Sequence, residues 1–142
     1  MSATDELKAR VDTIEEAYEF FLAYAAQGVS GEQAIKSAGQ VREFLQRSTL
    51  ALTELADLLA ALVDERKLDS PGVYRDFIEV VRRDAGTAGA AMRLVLVQTA
   101  ISSQMVDNLN AMIHLRALLT DVFLIDEIIS PRVPAPSTLP SS

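Results

Sequence analysis

The chain has no cysteine, no tryptophan and a single histidine, and its aromatic residues are limited to five Phe and three Tyr among 142 positions. Without cysteine there is no disulfide, no thiolate nucleophile and no zinc–thiolate site, and nothing calls for an oxidising compartment. A single histidine excludes the di-iron pattern of helical bundles, which takes a Glu-x-x-His pair from each of two helices. Positive charge is also scarce: 13 basic residues stand against 20 acidic ones, a formal net charge of −7. Such a chain repels a phosphate backbone, so nucleic acid is not an expected partner.

Long apolar runs are missing too. The longest stretch without a charge, Leu94 to Val106, is interrupted by Gln98, Thr99, Ser102, Ser103 and Gln104, and is too short and too polar to span a bilayer. No transmembrane segment is expected. The opening residues, Met1-Ser2-Ala3-Thr4-Asp5-Glu6, are acidic and polar, the reverse of a secretory signal. A cytoplasmic location is expected. Arginine outnumbers lysine ten to three and alanine is abundant, a bias read as that of a GC-rich bacterial coding sequence.

What the chain does have is a 49% share of hydrophobic residues, mainly Leu, Ile, Val and Ala, a mixture suited to helix–helix packing. One domain of this length buries roughly 68% of the surface its unfolded chain exposes. The expected fold is all-α, a bundle of about four helices with long heptad-patterned segments over residues 1–129. Residues 130–142, which hold four of the five prolines together with several serines, are expected to form a separate disordered tail.

Helical boundaries follow from spacing and caps. The first helix is expected from near Thr4 to just before Gly28, with Leu7, Val11, Ile14, Tyr18, Phe21 and Ala25 as its seam. Ser30-Gly31-Glu32-Gln33 has the form of a capping box opening a second helix. Its seam continues through Val41, Leu45, Ser48, Leu52, Leu55, Leu59 and Leu62 to an end near Arg66. Ser70-Pro71 announces a third helix, with serine as N-cap and proline at the first helical position. Gly86-Thr87-Ala88-Gly89 is read as a break or a close helix contact.

Beyond it the periodicity runs to Ile129, which as one helix would be near 60 Å long at ~1.5 Å per residue. Two outcomes are open: a break around Ser102-Ser103-Gln104, or a long helix that overshoots its neighbours. Leu115, Leu118, Leu119, Val122, Phe123, Leu124, Ile125, Ile128 and Ile129 cover most directions around the axis, which favours the long helix, with Leu115, Leu119, Val122, Phe123, Ile125 and Ile129 as an interface covered by a second chain.

Few residues invite chemistry. His114 shares a polar face with Asn110, Asp107 and Asp121 and reads as a solvated histidine. Glu15, Glu16 and Glu19, and Glu54 with Asp57, have the spacing of ordinary exposed faces rather than of a cation site. Gly86-Thr87-Ala88-Gly89 lacks the lysine of a phosphate loop and follows no strand. Arg75, Arg82, Arg83 and Arg93 are expected to pair with nearby carboxylates such as Asp76, Glu79 and Asp84. No catalytic set, metal or cofactor is therefore expected.

The most informative residues are amides and hydroxyls in an apolar segment: Gln98, Ser102, Ser103 and Asn108. Gln98 and Asn108 fall in phase with Leu94, Ile101, Met105 and Met112, so they either line a pocket or pair across a helical interface and fix its register. The register role is preferred. The expected function is a noncatalytic homo-oligomeric scaffold, adaptor or assembly subunit, with a larger protein as a second candidate partner. The alternative is a small-molecule-binding or enzymatic bundle that uses the polar band.

Overall fold

The structure, a computed structural model, describes residues 2–129. Within them lie seven helices and no strand: α1 (Ala3–Ala26), α2 (Gly31–Lys36), α3 (Ala38–Leu52), α4 (Leu55–Arg66), α5 (Pro71–Leu96), α6 (Ser103–Ala111) and α7 (Ile113–Ile129). The fold is all-α, with more and shorter helices than the four expected. The Pro/Ser-rich tail falls outside the described residues. No helix among these residues is long and apolar enough to cross a membrane.

Helix α1 forms where its signals put it. Ser2 caps it by accepting from Asp5 N at 3.1 Å, and Gly28, at φ 67°, takes the left-handed position beyond its end. Leu7, Val11, Ile14 and Phe21 are buried as expected, but Ala17 and Tyr24 join them in place of Tyr18 and Ala25, which are half-buried. A straight helix turns every 3.6 residues, so a strict heptad drifts off the buried face within a few turns.

The expected second helix is three helices. Thr53 is extended and Glu54 is left-handed, at φ 60°, which ends α3 and starts α4. A left-handed non-glycine residue costs roughly 1–2 kcal/mol. A tertiary contact offsets it: Arg10 of α1, held by Glu6 at 2.9 Å, donates to the Ala51 carbonyl at 3.2 Å and to the Thr53 carbonyl. A cation at the carbonyl end of α3 satisfies groups that have no partner within the helix. Leu52, Leu55, Leu59 and Leu62 are buried on both sides of the break, so the apolar pattern continues although the helix does not.

Neither predicted serine cap forms. Ser30 sits at the start of α2 without a side-chain bond, and Gln33 donates instead to Ser37 Oγ at 3.1 Å. A capping box needs helical backbone right after the cap, whereas Gly31 has φ 58°. Ser70 is itself left-handed, at φ 58°, and its hydroxyl makes no cap bond, although Pro71 does open α5 as expected.

Helix α5 runs unbroken through Gly86 and Gly89. A Cβ at Gly86 would meet nothing within 4 Å and one at Gly89 would meet only the Arg93 side chain at 3.2 Å, so no close helix contact requires these glycines. The break comes later. After Leu96 the chain leaves the helix, and Arg42 of α3 donates to the carbonyls of Leu96 at 3.2 Å, of Thr99 at 3.0 Å and of Gln98. Ser102 then caps α6 by accepting from Met105 N at 3.1 Å, and a second break at Met112 separates α6 from α7. The single long helix favoured by the apolar run from Leu115 to Ile129 does not form.

These breaks fold α6 and α7 back on the bundle. α6 packs on α1, and α7 packs on α5 and α1. Helices α1, α3, α4, α5, α6 and α7 share one core that includes Leu7, Phe21, Leu45, Leu59, Val81, Met92, Val106 and Leu118. Each fully buried side chain of this size contributes roughly 1.5–3 kcal/mol relative to exposure.

Candidate functional site

Helices α5 and α6 diverge from the break at Leu96 and leave a groove between them. It has a volume of about 370 Å³ and is lined by Ala91, Leu94, Val95, Gln98, Met105, Asn108, Leu109 and Met112. Leu94 is 66% exposed and Met105 38% exposed on its rim, and two residues adjacent to the lining in sequence, Val97 and Ile113, are 75% and 79% exposed. Leu94 and Met105 thus present apolar surface to water along the groove.

The two amides of the predicted polar band meet here. Gln98 Nε2 donates to the Leu94 carbonyl at 2.9 Å. Asn108 Oδ1 accepts from Gln104 Nε2 at 3.2 Å, which leaves Asn108 Nδ2 as a donor. No charged side chain lines the groove.

The two serines of the same band go elsewhere. Ser102 is spent on the α6 cap. Ser103 is buried, accepts from Val29 N at 2.7 Å and donates to the Tyr24 carbonyl at 2.6 Å, while its own N–H donates to the Val29 carbonyl at 2.8 Å. The Tyr24 hydroxyl donates to the Ile101 carbonyl at 2.6 Å, and Ile101 N donates to the Ala34 carbonyl at 3.1 Å. Burial raises the Tyr24 pKa, which keeps the hydroxyl a donor. Ser103 therefore belongs to a polar strap that ties the α5–α6 connection to the end of α1, and the four predicted residues do not converge on one pocket.

The predicted interface on α7 is mostly interior. Leu115, Leu119, Val122, Ile125 and Ile129 are buried within their own chain. Once the long helix is broken, α5 and α1 supply the neighbours that a second chain was expected to supply. Phe123 alone of the six is open, at 45% exposure, together with Leu124 and Ile128, which were not among them. Leu124, Ile125 and Ile128 line a second apolar groove of about 300 Å³ with Val73, Tyr74 and Phe77 of α5.

Between the two grooves lies a cluster that sequence reasoning missed. Asp84 is buried on α5 rather than paired with a neighbouring arginine, and its Oδ1 lies 3.6 Å from His114 Nδ1. Asp121, also on α7, hydrogen-bonds Asp84, and its Oδ2 is buried without a partner. Burial, then the hydrogen bond and the charge of Asp84, push the Asp121 pKa up to about 7. Near neutrality Asp121 therefore still holds a proton in part, which it can donate to Asp84. The i, i+7 spacing of His114 and Asp121 places both on one face of α7, which was visible in the sequence; the opposing carboxylate on α5 was not.

Elsewhere the arginines bridge helices. Arg82 reaches Asp57 of α4 at 2.9 Å as well as Glu79 at 2.8 Å, and Arg75 reaches Asp64 of α4 at 3.2 Å. Glu15 has its pKa raised by burial and by the charges of Asp12, Asp126 and Glu19. Asn110 is buried in α6 with both side-chain polar atoms unpartnered. Among the described residues no group of three or more His, Asp or Glu is arranged to hold a metal ion.

Comparison with family models, with curated proteins and with solved structures gives no match to this chain.

Proposed function

We propose that this chain is a noncatalytic helical module that works by association with a second copy of itself, as a scaffold or assembly subunit. The observation that carries the reading is the apolar α5–α6 groove, where Leu94 and Met105 are exposed beside two amides, Gln98 and Asn108. Burying such surface against a partner is favourable at roughly 25 cal/mol per Å² of apolar area, before the costs of association. A cysteine-free composition suits a reducing cytoplasm as its setting. A larger protein partner would use the same surface.

Absolute mass in solution tests the reading. The expected result is a multiple of the 15.4 kDa chain. A chain that stays monomeric up to roughly 100 µM, where an association of about 5 kcal/mol registers, overturns it.

The groove also supports a second reading, a site for a small amphiphilic ligand. Its volume, about 370 Å³, and its apolar lining with two polar groups are those of many ligand pockets. A ligand at 100 times its dissociation constant adds ~2.7 kcal/mol of stability, so a thermal-shift screen of amide- and acid-bearing metabolites distinguishes this reading from self-association.

A further inference from the structure

The groove between the start of α5 and the end of α7 is lined by Val73, Tyr74, Phe77, Leu124, Ile125 and Ile128, of which Val73, Leu124 and Ile128 are exposed. Apart from the Tyr74 hydroxyl, no lining side chain carries a polar group. An occupant gains by covering apolar area and loses by stripping water from donors that find no partner there. The groove therefore selects a short apolar segment with few N–H groups.

The chain carries such a segment directly after the groove. Ile128 is part of the lining, Ile129 ends α7, and residues 130–142 follow. Pro131, Pro134, Pro136 and Pro140 have no N–H to desolvate, and Val133, Ala135 and Leu139 stand among them. We infer that the α5–α7 groove is the docking site of the chain's own residues 130–136, with Val133 and Pro134 against Tyr74 and Phe77. Proline-rich segments are commonly recognised by aromatic-lined grooves. The inference is independent of the proposed self-association, which uses the other groove.

Reach, concentration and charge favour this occupant. The axes of packed helices lie about 8–10 Å apart. Residues 130–136 span about 22 Å at ~3.1 Å per residue, enough to turn back from Ile129 and cross to α5. Tethered at the edge of the groove, the segment is present at an effective concentration in the millimolar range, which a free partner of the same chemistry has to match in bulk. Arg132 is its only charged side chain. The last turn of α7 holds Asp126 and no basic residue, so a cation just past that carbonyl end is favourable. The α5–α6 groove fits this segment less well, because it lies at the start of α7, about 25 Å of helix away.

The chain has no cysteine, so Ser137→Cys carries a nitroxide at a single place. The experiment measures paramagnetic broadening of the Ile, Leu and Val methyl signals of the full chain bearing that label, alone and with Val73→Asp or Val133→Asp added. Val73 is exposed and Val133 is not a core residue, so both variants keep the fold, checked by circular dichroism. Broadening should be strongest at Val73, Leu124 and Ile128 and weak at Leu50 and Leu94, which are exposed elsewhere on the fold. Either substitution should lower the docking equilibrium constant by about tenfold, the scale of losing one buried valine. In a mixture of nitroxide-bearing chain without isotope and isotope-labelled chain without nitroxide, the broadening should vanish.

Broadening that is absent, or equal at Leu50, Leu94 and Ile128, overturns the inference. Broadening that persists in the mixture assigns the groove to the segment of another copy and overturns it as well. Indifference to both substitutions overturns the contact of Val133 with the groove. Mass in solution tests self-association separately, so either reading can fail alone.

Discussion

Ser103 and Tyr24 are joined by a hydrogen bond of 2.6 Å from the serine hydroxyl to the tyrosine carbonyl, across 79 residues of chain. The same hydroxyl accepts from Val29 N, so one buried oxygen closes the end of α1 and opens α6. Replacing it takes the partner from Val29 N and removes one of the two hydrogen bonds that the Tyr24 carbonyl accepts, the other coming from Gln27 N. Ser103→Ala should cost roughly 1–3 kcal/mol, read as a lower denaturant midpoint. Ser102→Ala, which removes only the α6 cap, should cost about 1 kcal/mol. An equal or larger loss from Ser102→Ala would show that the strap does not hold the connection.

Arg42 should matter for the same reason at the other end of the connection. Its guanidinium bonds the Leu96 carbonyl at the end of α5 and the Gln98 and Thr99 carbonyls of the connection that follows. Arg42→Ala should destabilise by about 1–3 kcal/mol, and Arg42→Lys should recover only part of it, because an ammonium lacks the planar fork that serves several carbonyls at once. Full recovery by lysine would mean that charge alone acts there.

Stability should depend on pH through Asp121. Its folded pKa of about 7 lies above the ordinary carboxyl value of 3.8, so the folded state binds this proton more tightly than the unfolded chain does. The stabilisation is therefore complete below about pH 4, falls as pH rises, and is lost once pH passes about 7. Glu15, also raised, acts in the same direction. Chemical denaturation at several pH values should show the wild type less stable at about pH 8 than at about pH 5.5, and Asp121→Asn should flatten that slope. A wild-type slope of the opposite sign would contradict a raised Asp121 pKa.

Ile125 and Phe123 separate the core of α7 from its surface. Ile125 is 2% exposed and Phe123 is 45% exposed. Ile125→Asp places an unpaired charge in the interior, at a cost of several kcal/mol against a usual total of about 5–15 kcal/mol, and helicity should fall. Phe123→Asp should leave helicity and thermal midpoint nearly unchanged. Retained helicity in Ile125→Asp would show that this part of α7 is not core.

Much of the helical architecture was legible in the chain. The apolar spacing of Leu7, Val11, Ile14 and Phe21, and of Val41, Leu45, Leu52, Leu55, Leu59 and Leu62, marked residues that are indeed buried, because burial follows local periodicity whether or not the helix between them is continuous. Gly28 and Pro71 marked boundaries because their backbone preferences are intrinsic. The amides Gln98 and Asn108 also stood out, since polar groups in an apolar stripe are visible as an interruption.

The sequence offered a break around Ser102-Ser103-Gln104, but only tertiary structure decided that α3 stops at Leu52, that α6 stops at Ala111 and which apolar face is left over. Neither Glu54 nor Met112 is a helix-breaking residue, and the residues that fix the ends of α3 and α5, Arg10 and Arg42, lie more than 40 positions away along the chain. The breaks turned Leu115, Leu119, Val122, Ile125 and Ile129 from an apparent interface into core, and brought Asp84 against His114 and Asp121. Sequence carries the period of a helix because its hydrogen bonds span four residues; it does not carry the distant cation that makes stopping one favourable.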